Sequence, residues 1–480
     1  MSAPGSRRGR FLTAAALLAL TAAASAFSYK EVVRRYRTFQ TGWAWDLAYY
    51  NQWYWALTLG DRTITVCPYA AYATEGPSVF RTNYLAPVRF AVAPLYRLAP
   101  GPTTLLLVHS VVFWLVIPAA YTLARAESGG SRWIGLAAAS LTPLTPLLWP
   151  LSVNDFREIQ MSIPFMLWAV QGVRGRDARL TALGVGGMLA CRQELSVAVA
   201  SLAFLSSREP EDVGRTHRWR HLLIVTATAW FFLAFLGHLR WMFGPTTAAA
   251  YLNQFGGARP GLLESLTTAG EILALGLGAW LLFGIAAPRE ALLALPWLWG
   301  LSSGRWAMGL LALPDWHHVR YTSPFVGMAL AACVVGFARV CLGLSQGRYG
   351  VWKVGAVWVV AAAVSGVGLE EVRRKMAEQY HSLGTEEVQE LWKCIDRVAP
   401  DDGVLSAYDF TAPLSSRRFL YSYVLQPNRP FGYPDRLPDP IRWLFYRRAD
   451  YVPNIFQTQG FREVYVGPHS VVLERPRRSP

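Results

Sequence analysis

A carboxylate inside an aromatic run is the first feature with chemical promise: Thr41-Gly-Trp43-Ala-Trp45-Asp46-Leu-Ala-Tyr49-Tyr-Asn51-Gln52-Trp-Tyr-Trp55. Tyr and Trp favour the headgroup layer of a bilayer. Asp46 would therefore sit where a lipid-linked substrate presents its polar head, with Trp45 and Gln52 as neighbouring contacts. Three further polar clusters interrupt apolar sequence. They are Asn154-Asp155-Phe-Arg157-Glu158, Arg192-Gln193-Glu194 and Asp315-Trp-His317-His318-Val-Arg320. Carboxylates can act as general bases or metal ligands, while Arg and His can hold a phosphate leaving group. Together they suit transfer of a phosphate-activated group to a hydroxyl.

Each cluster also has a plainer reading. Asp46 could be solvated or cap a turn, and Trp43, Trp45 and Tyr49 could be lipid anchors. Asp155 and Glu158 have capping-box spacing. Arg192 and Glu194 could be a local ion pair, and His317 and His318 could be interface residues without a ligand. Asp409, Arg417 and Arg418 read as solvated.

The elements that must position these residues follow from composition. The chain has 480 residues, of which 53% are hydrophobic and 16% charged. Soluble domains carry roughly 25% charged residues, so a polytopic membrane protein is expected. The net charge of +15 falls in short loops between apolar segments. That is the pattern of cytoplasmic positive charge rather than of a nucleic-acid surface. The five cysteines lack metal-site spacing, although Cys67 and Cys394 could meet outside the membrane. Gly184-Val-Gly-Gly187 lies in an apolar stretch and lacks the Lys-Ser/Thr of a phosphate loop.

In chain order, the basic Ser6–Arg10 segment and the apolar run from Phe11 to Phe27 read as an uncleaved first span, with the N-terminus in the cytoplasm. A long external loop over 28–102 follows, with interfacial helices near 44–58 and 84–98. Further spans are expected over 103–124, 133–149, 159–173, 221–243, 269–286, 291–301, 322–340 and 354–368. The stretch 180–206 must break at Arg192-Gln193-Glu194, because a continuous helix would bury two charges at about 2.5–3.5 kcal/mol each. The expected fold class is mostly α, a helical membrane bundle of about eleven crossings over 1–369. A small extracytoplasmic α/β domain over 370–480 completes it. The tail reads as a helix over about 370–398, then strands near Val404–Ala407, Phe419–Tyr423, Asp450–Val452 and Glu463–Leu473.

Trp45-Asp46-Leu47…Gln52…Trp55, Ala93-Pro-Leu-Tyr96, Asn154-Asp-Phe-Arg-Glu158, Arg192-Gln-Glu194 and His318-Val-Arg-Tyr321 together resemble a bacterial family. It is a predicted-membrane-protein family (a domain of unknown function) grouped with GT-C glycosyltransferases. That family often shows Phe-Asp-Phe-His-Pro-Glu at the second cluster and Arg-Glu-Asp at the third, so Arg157 and Gln193 are departures. The resemblance covers about residues 40–330. It implies a GT-C-like bundle in the bacterial cytoplasmic membrane, using a polyprenyl-phosphate-linked sugar. It carries the first-loop acidic residue of GT-C enzymes, a catalytic base or metal-site candidate, onto Asp46.

The leading expectation is an inverting transferase in which Asp46 deprotonates the acceptor. Arg157, Arg192 or Arg320 would hold the lipid phosphate, with His317 or His318 as a phosphate or metal contact. The cofactor is unassigned, a divalent metal ion being compatible. Partners are the lipid-linked sugar and membrane lipid, with no nucleic acid. A flippase for a lipid-linked precursor would instead need charges along a path through the bilayer. A non-catalytic scaffold would depend on the tail.

Overall fold

The computed structural model of the protein describes residues 7–40, 44–66, 78–80, 85–205, 213–239, 261–303, 316–346, 349–379, 383–422, 437, 439–451 and 459–476. The first half comprises α1 (Arg7–Arg37), α2 (Ala44–Thr58), α3 (Val88–Leu98), α4 (Pro102–Trp114), α5 (Val116–Glu127) and α6 (Arg132–Leu141). It continues with α7 (Leu148–Ser152), α8 (Glu158–Met161), α9 (Ile163–Gly175), α10 (Ala178–Cys191), α11 (Ser196–Ser201) and α12 (Val213–Phe231). After it come α13 (Leu262–Leu277), α14 (Trp280–Ile285), α15 (Pro288–Ala291), α16 (Leu295–Ser303), α17 (Ser323–Leu344) and α18 (Gly350–Gln379).

Four helical stretches are long and apolar enough to cross a membrane: Arg7–Arg37, Pro102–Glu127, Val319–Leu344 and Gly350–Glu378. Their surroundings differ. In the most apolar window of Val319–Leu344, 83% of the residues are buried, against 11% in Arg7–Arg37 and 17% in Gly350–Glu378. Helix α17 is therefore the bundle's centre, apolar on every side because protein surrounds it. Helices α1 and α18 show apolar side chains outward, among them Leu18, Val351 and Val367. Such exposure suits lipid rather than water.

Helices α9 and α10 form an antiparallel hairpin across the basic turn Arg174–Arg179. Asp177 caps α10 by accepting hydrogen bonds from the Arg179 and Leu180 amides at 2.9 and 3.0 Å. The two backbones lie close: a Cβ on Gly184 would come within 2.4 Å of the Ala169 nitrogen. Gly184 thus serves helix packing. Helix α10 stops at Cys191 because Arg192 is extended (φ −157°, ψ 143°), as the two charges there demand. At the same end of α9 as that turn, Arg174 pairs with Glu127 and Glu290, and Arg339 donates to Glu290 at 3.0 Å. This mostly buried cluster ties α5, α9, α15 and α17 together.

Helix α18 continues without interruption through residues 369 and 370 to Gln379, and a separate helix, α19 (Thr385–Asp396), follows. The single helix expected over 370–398 is thus two. Five strands follow: β1 (Gly403–Ser406), β2 (Leu420–Ser422), β3 (Ile441–Arg447), β4 (Arg462–Val466) and β5 (Ser470–Glu474), with α20 (Tyr408–Thr411) between β1 and β2. They form one sheet in the order β2-β1-β3-β5-β4. The β2-β1-β3 portion is parallel and the β3-β5-β4 portion antiparallel. Two readings are corrected here. Ile441–Arg447 is the central strand, whereas Asp450 ends a short 3-10 helix. The stretch Glu463–Leu473 is a hairpin, broken by the turn at Gly467-Pro468.

Candidate functional site

Three separate segments meet at Asp46, its own helix and two that bring arginines to it. The carboxylate lies in the first turn of α2, where the helix dipole favours negative charge. Arg157 reaches it from the extended residue before α8 and donates from Nη2 to Asp46 Oδ2. Arg320 comes from the 3-10 turn Trp316–Thr322 that leads into α17, placing Nη2 3.7 Å from the same oxygen. The Arg157 and Asp46 side chains are 5% and 13% exposed. So the pair is nearly withdrawn from water, the carboxylate keeping slightly more exposure than the guanidinium.

The 153–157 segment is held from below. Arg35 of α1 donates from Nη1 to the Val153 carbonyl at 2.8 Å. Asp155, two residues on, is buried, and its Oδ2 has no hydrogen-bond partner. Burial pushes its carboxyl up to about 7, against the opposing pull of Arg157 and Arg35. It does not cap α8, whose N-cap is Arg157 without a side-chain cap bond. Glu158 likewise takes no part in capping; it forms a fully buried ion pair with Arg89 of α3.

Tyr50 links the two pairs. Its ring lies 5.1 Å from the Arg89 guanidinium carbon and 5.7 Å from that of Arg157, within cation–π range of both. Neither Arg89 nor Tyr50 was singled out from sequence. A signal existed for Arg89: it shares the buried face of α3 with Val92, Ala93 and Tyr96, a helical i, i+3, i+4, i+7 stripe that placed a cation inside.

The Arg192 charge also reaches Tyr50. Arg192 and Glu194 pair with each other at 2.8 and 3.0 Å, and Gln193 Oε1 accepts from the Leu85 amide at 2.8 Å. Tyr49 is buried rather than lipid-facing. The Trp45, His317 and His318 side chains, all of Trp43 and Asp315, and Cys67 fall outside the described residues.

Gln52 points away from Asp46 toward the sheet domain. Its amide nitrogen donates to the Arg417 carbonyl at 2.9 Å, while Oε1 accepts from the Thr65 and Val66 amides at 2.9 and 2.8 Å. One residue earlier, Asn51 donates to Ser415 Oγ at 2.8 Å and accepts from the Tyr96 hydroxyl at 2.9 Å. The domain is thereby bolted to the helix that carries Asp46, and α20 lies against α2. Burial, with the Asp46 charge adding to it, raises the hydroxyl of Tyr408 on α20 to about 12. Of the three tail charges read as solvated, Arg418 is indeed half-exposed, 2.7 Å from Asp61, but the other two are engaged. Arg417 is buried and donates to the Leu414, Ala399 and Asp402 carbonyls, while Asp409 pairs with Arg447.

Among the described residues, no group of three or more His, Cys, Asp or Glu could hold a metal ion. The donor set at Asp46 also fits a cation poorly, since two guanidiniums already face the carboxylate. The arrangement suits an anion arriving beside a base.

Residues 35–418 match the family described as predicted membrane protein (DUF2079), and the chain belongs to that family. Among curated protein sequences there is no match. Among solved structures, the chain is similar to ArnT from Cupriavidus metallidurans bound to undecaprenyl phosphate. That likeness has a TM-score of 0.60 at 13% identity, covering 96% of this chain and 98% of that one. For ArnT of the same organism in the apo state, the TM-score is 0.51 at 14% identity, covering 90% and 93%. At such identities the likeness shows a shared fold and nothing more.

Proposed function

We propose that this member of the DUF2079 family is a membrane glycosyltransferase. It would move a sugar from a polyprenyl-phosphate donor to an acceptor hydroxyl on the extracytoplasmic face. The observation that carries this reading is the convergence of Asp46, Arg157 and Arg320, in a fold shared with a protein solved bound to undecaprenyl phosphate.

In this scheme the donor phosphate enters beside Arg157 and Arg320, and its charge competes with Asp46 for the guanidiniums. Asp46, relieved of Arg157, takes the proton of the acceptor hydroxyl as general base. The acceptor oxygen attacks the anomeric carbon from the face opposite the phosphate. The sugar–phosphate bond breaks with its electron pair going to the phosphate oxygen, and the arginines hold the released polyprenyl phosphate. One displacement inverts the anomeric centre. Tyr50 and the Arg89–Glu158 pair fix Arg157 from behind.

The same reading places about eleven crossings in the bacterial cytoplasmic membrane, with the N-terminus inside. It takes 1–369 as the membrane module and 370–480 as an extracytoplasmic domain. Reporter fusions after Arg176 and after Glu474 test this, with the first expected inside and the second outside. The activity is tested by incubating purified full-length protein with a polyprenyl-phosphate sugar and candidate acceptors. Sugar transfer with release of free polyprenyl phosphate is expected. An intact donor with every envelope acceptor class would overturn the proposal.

A further inference from the structure

A cationic cavity whose lining does not include Asp46 lies on the flank of the bundle. It has a volume of about 560 Å³ and is formed between α1, α18 and the Trp149–Val153 stretch. Four arginines line it, Arg34 and Arg35 from α1 and Arg373 and Arg374 from α18, against two carboxylates, Glu31 and Glu370. Its position along both helices is informative. It sits where the apolar run of α1 ends near Phe27 and that of α18 ends near Leu369, both giving way to charged turns. For two largely lipid-facing helices, that level is the membrane–water boundary.

The walls have the chemistry of that boundary. The Arg373 guanidinium carbon lies 5.6 Å from the Trp149 ring, and Phe27 meets the same ring at 5.1 Å. Arg34 is braced by Glu31 at 2.6 Å and Arg373 by Glu370 at 3.4 Å. Both arginine side chains remain about half exposed, at 53% and 49%. Of its five N–H donors, Arg34 gives three, two to Glu31 and one to Gln40 Oε1, and Arg373 gives one to Glu370, so both keep donors for a further anion.

We propose that this cavity binds the phosphate headgroup of a membrane lipid, with Arg34 and Arg373 as its two-sided clamp and Trp149 at the glycerol or first-isoprene level. It stands independently of the transfer reading. A physical link to the Asp46 site nonetheless exists. Val153 lines the cavity, its carbonyl is held by Arg35, and Asp155 and Arg157 follow on the same short segment.

The test is native mass spectrometry of the full-length protein in mild detergent. It would be titrated separately with phosphatidylglycerol, polyprenyl phosphate, phosphatidylcholine and inorganic phosphate. The wild type is expected to retain one anionic lipid about tenfold more tightly than phosphatidylcholine, and whichever anionic lipid binds better identifies the source. Arg34→Gln and Arg373→Gln, each on a half-exposed position, are expected to lose most of that preference singly, while R373K keeps much of it. Equal retention by wild type and both glutamine variants would overturn the proposal. So would absence of any anionic preference, or inorganic phosphate binding as well as the lipids. Sugar transfer is not the readout, so a missing transferase activity leaves this result untouched.

Discussion

Asp46 and Arg157 are 111 residues apart in the chain and form an almost completely buried ion pair, with Arg320 3.7 Å from the same carboxylate oxygen. A carboxylate bound to one guanidinium is a weak base until something draws the cation away. A phosphate group does so, which makes the pair a base that the donor itself uncovers.

Removing Arg157 therefore has two effects. Arg157→Met is expected to lower transfer at saturating donor by about 10²-fold or more, the scale for losing one preorganised charge contact to a developing anion. It is also expected to destabilise the protein by about 3–5 kcal/mol, since Asp46 would remain charged and largely buried. R157K should retain part of the activity. Steady-state kinetics with denaturation curves separate the two. Unchanged kcat in R157M would take Arg157 out of phosphate binding.

Arg89 and Glu158 make a purely structural comparison. Both side chains are at most 2% exposed, so either E158Q or R89M alone should cost about 3–5 kcal/mol. The double substitution R89M/E158L should recover much of that loss. Denaturant unfolding of the three variants measures the coupling, and additive losses would show that the pair is not a unit.

The join between α2 and the sheet domain should behave as a single fastening. Gln52→Ala leaves the Thr65 and Val66 amides without their acceptor, at about 1–3 kcal/mol per buried group. The expected signature is faster proteolysis between α18 and β1 and a fall in transfer without loss of membrane insertion. Cysteines placed at Asn51 and Ser415 should cross-link in the wild-type background.

Much of this organisation was legible in the sequence. The break at Arg192 was forced by the cost of two charges in an apolar stretch, and α10 ends there. The aromatic run carrying Asp46 was readable as a helix and is one. What sequence could not show was which cation meets which carboxylate, because those pairings arise from packing between distant segments. Thus Glu158 belongs to Arg89, and Gln52 to the sheet domain. The strand Ile441–Arg447 was overlooked because its charged ends obscured a buried centre, and Arg417 because nothing local marks a cation that donates to carbonyls.

Asp155 gives a pH signature. Its carboxyl is held up to about 7 in the folded protein against about 3.9 when unfolded. The folded state therefore binds the extra proton between these values. The stability this supplies is complete below about pH 4 and lost as pH rises through about 7. D155N is expected to flatten that decline. Melting temperatures at pH 5 and pH 8 for both proteins check it; an equal drop in the two would assign the proton elsewhere.

The most direct measurement is transfer by purified Asp46→Asn, beside wild type, from a polyprenyl-phosphate sugar, with membrane insertion and melting temperature followed in parallel. Loss of transfer by at least about 10³-fold in a folded, inserted protein is the expected result. Full transfer by D46N would contradict the assignment of Asp46 as the base.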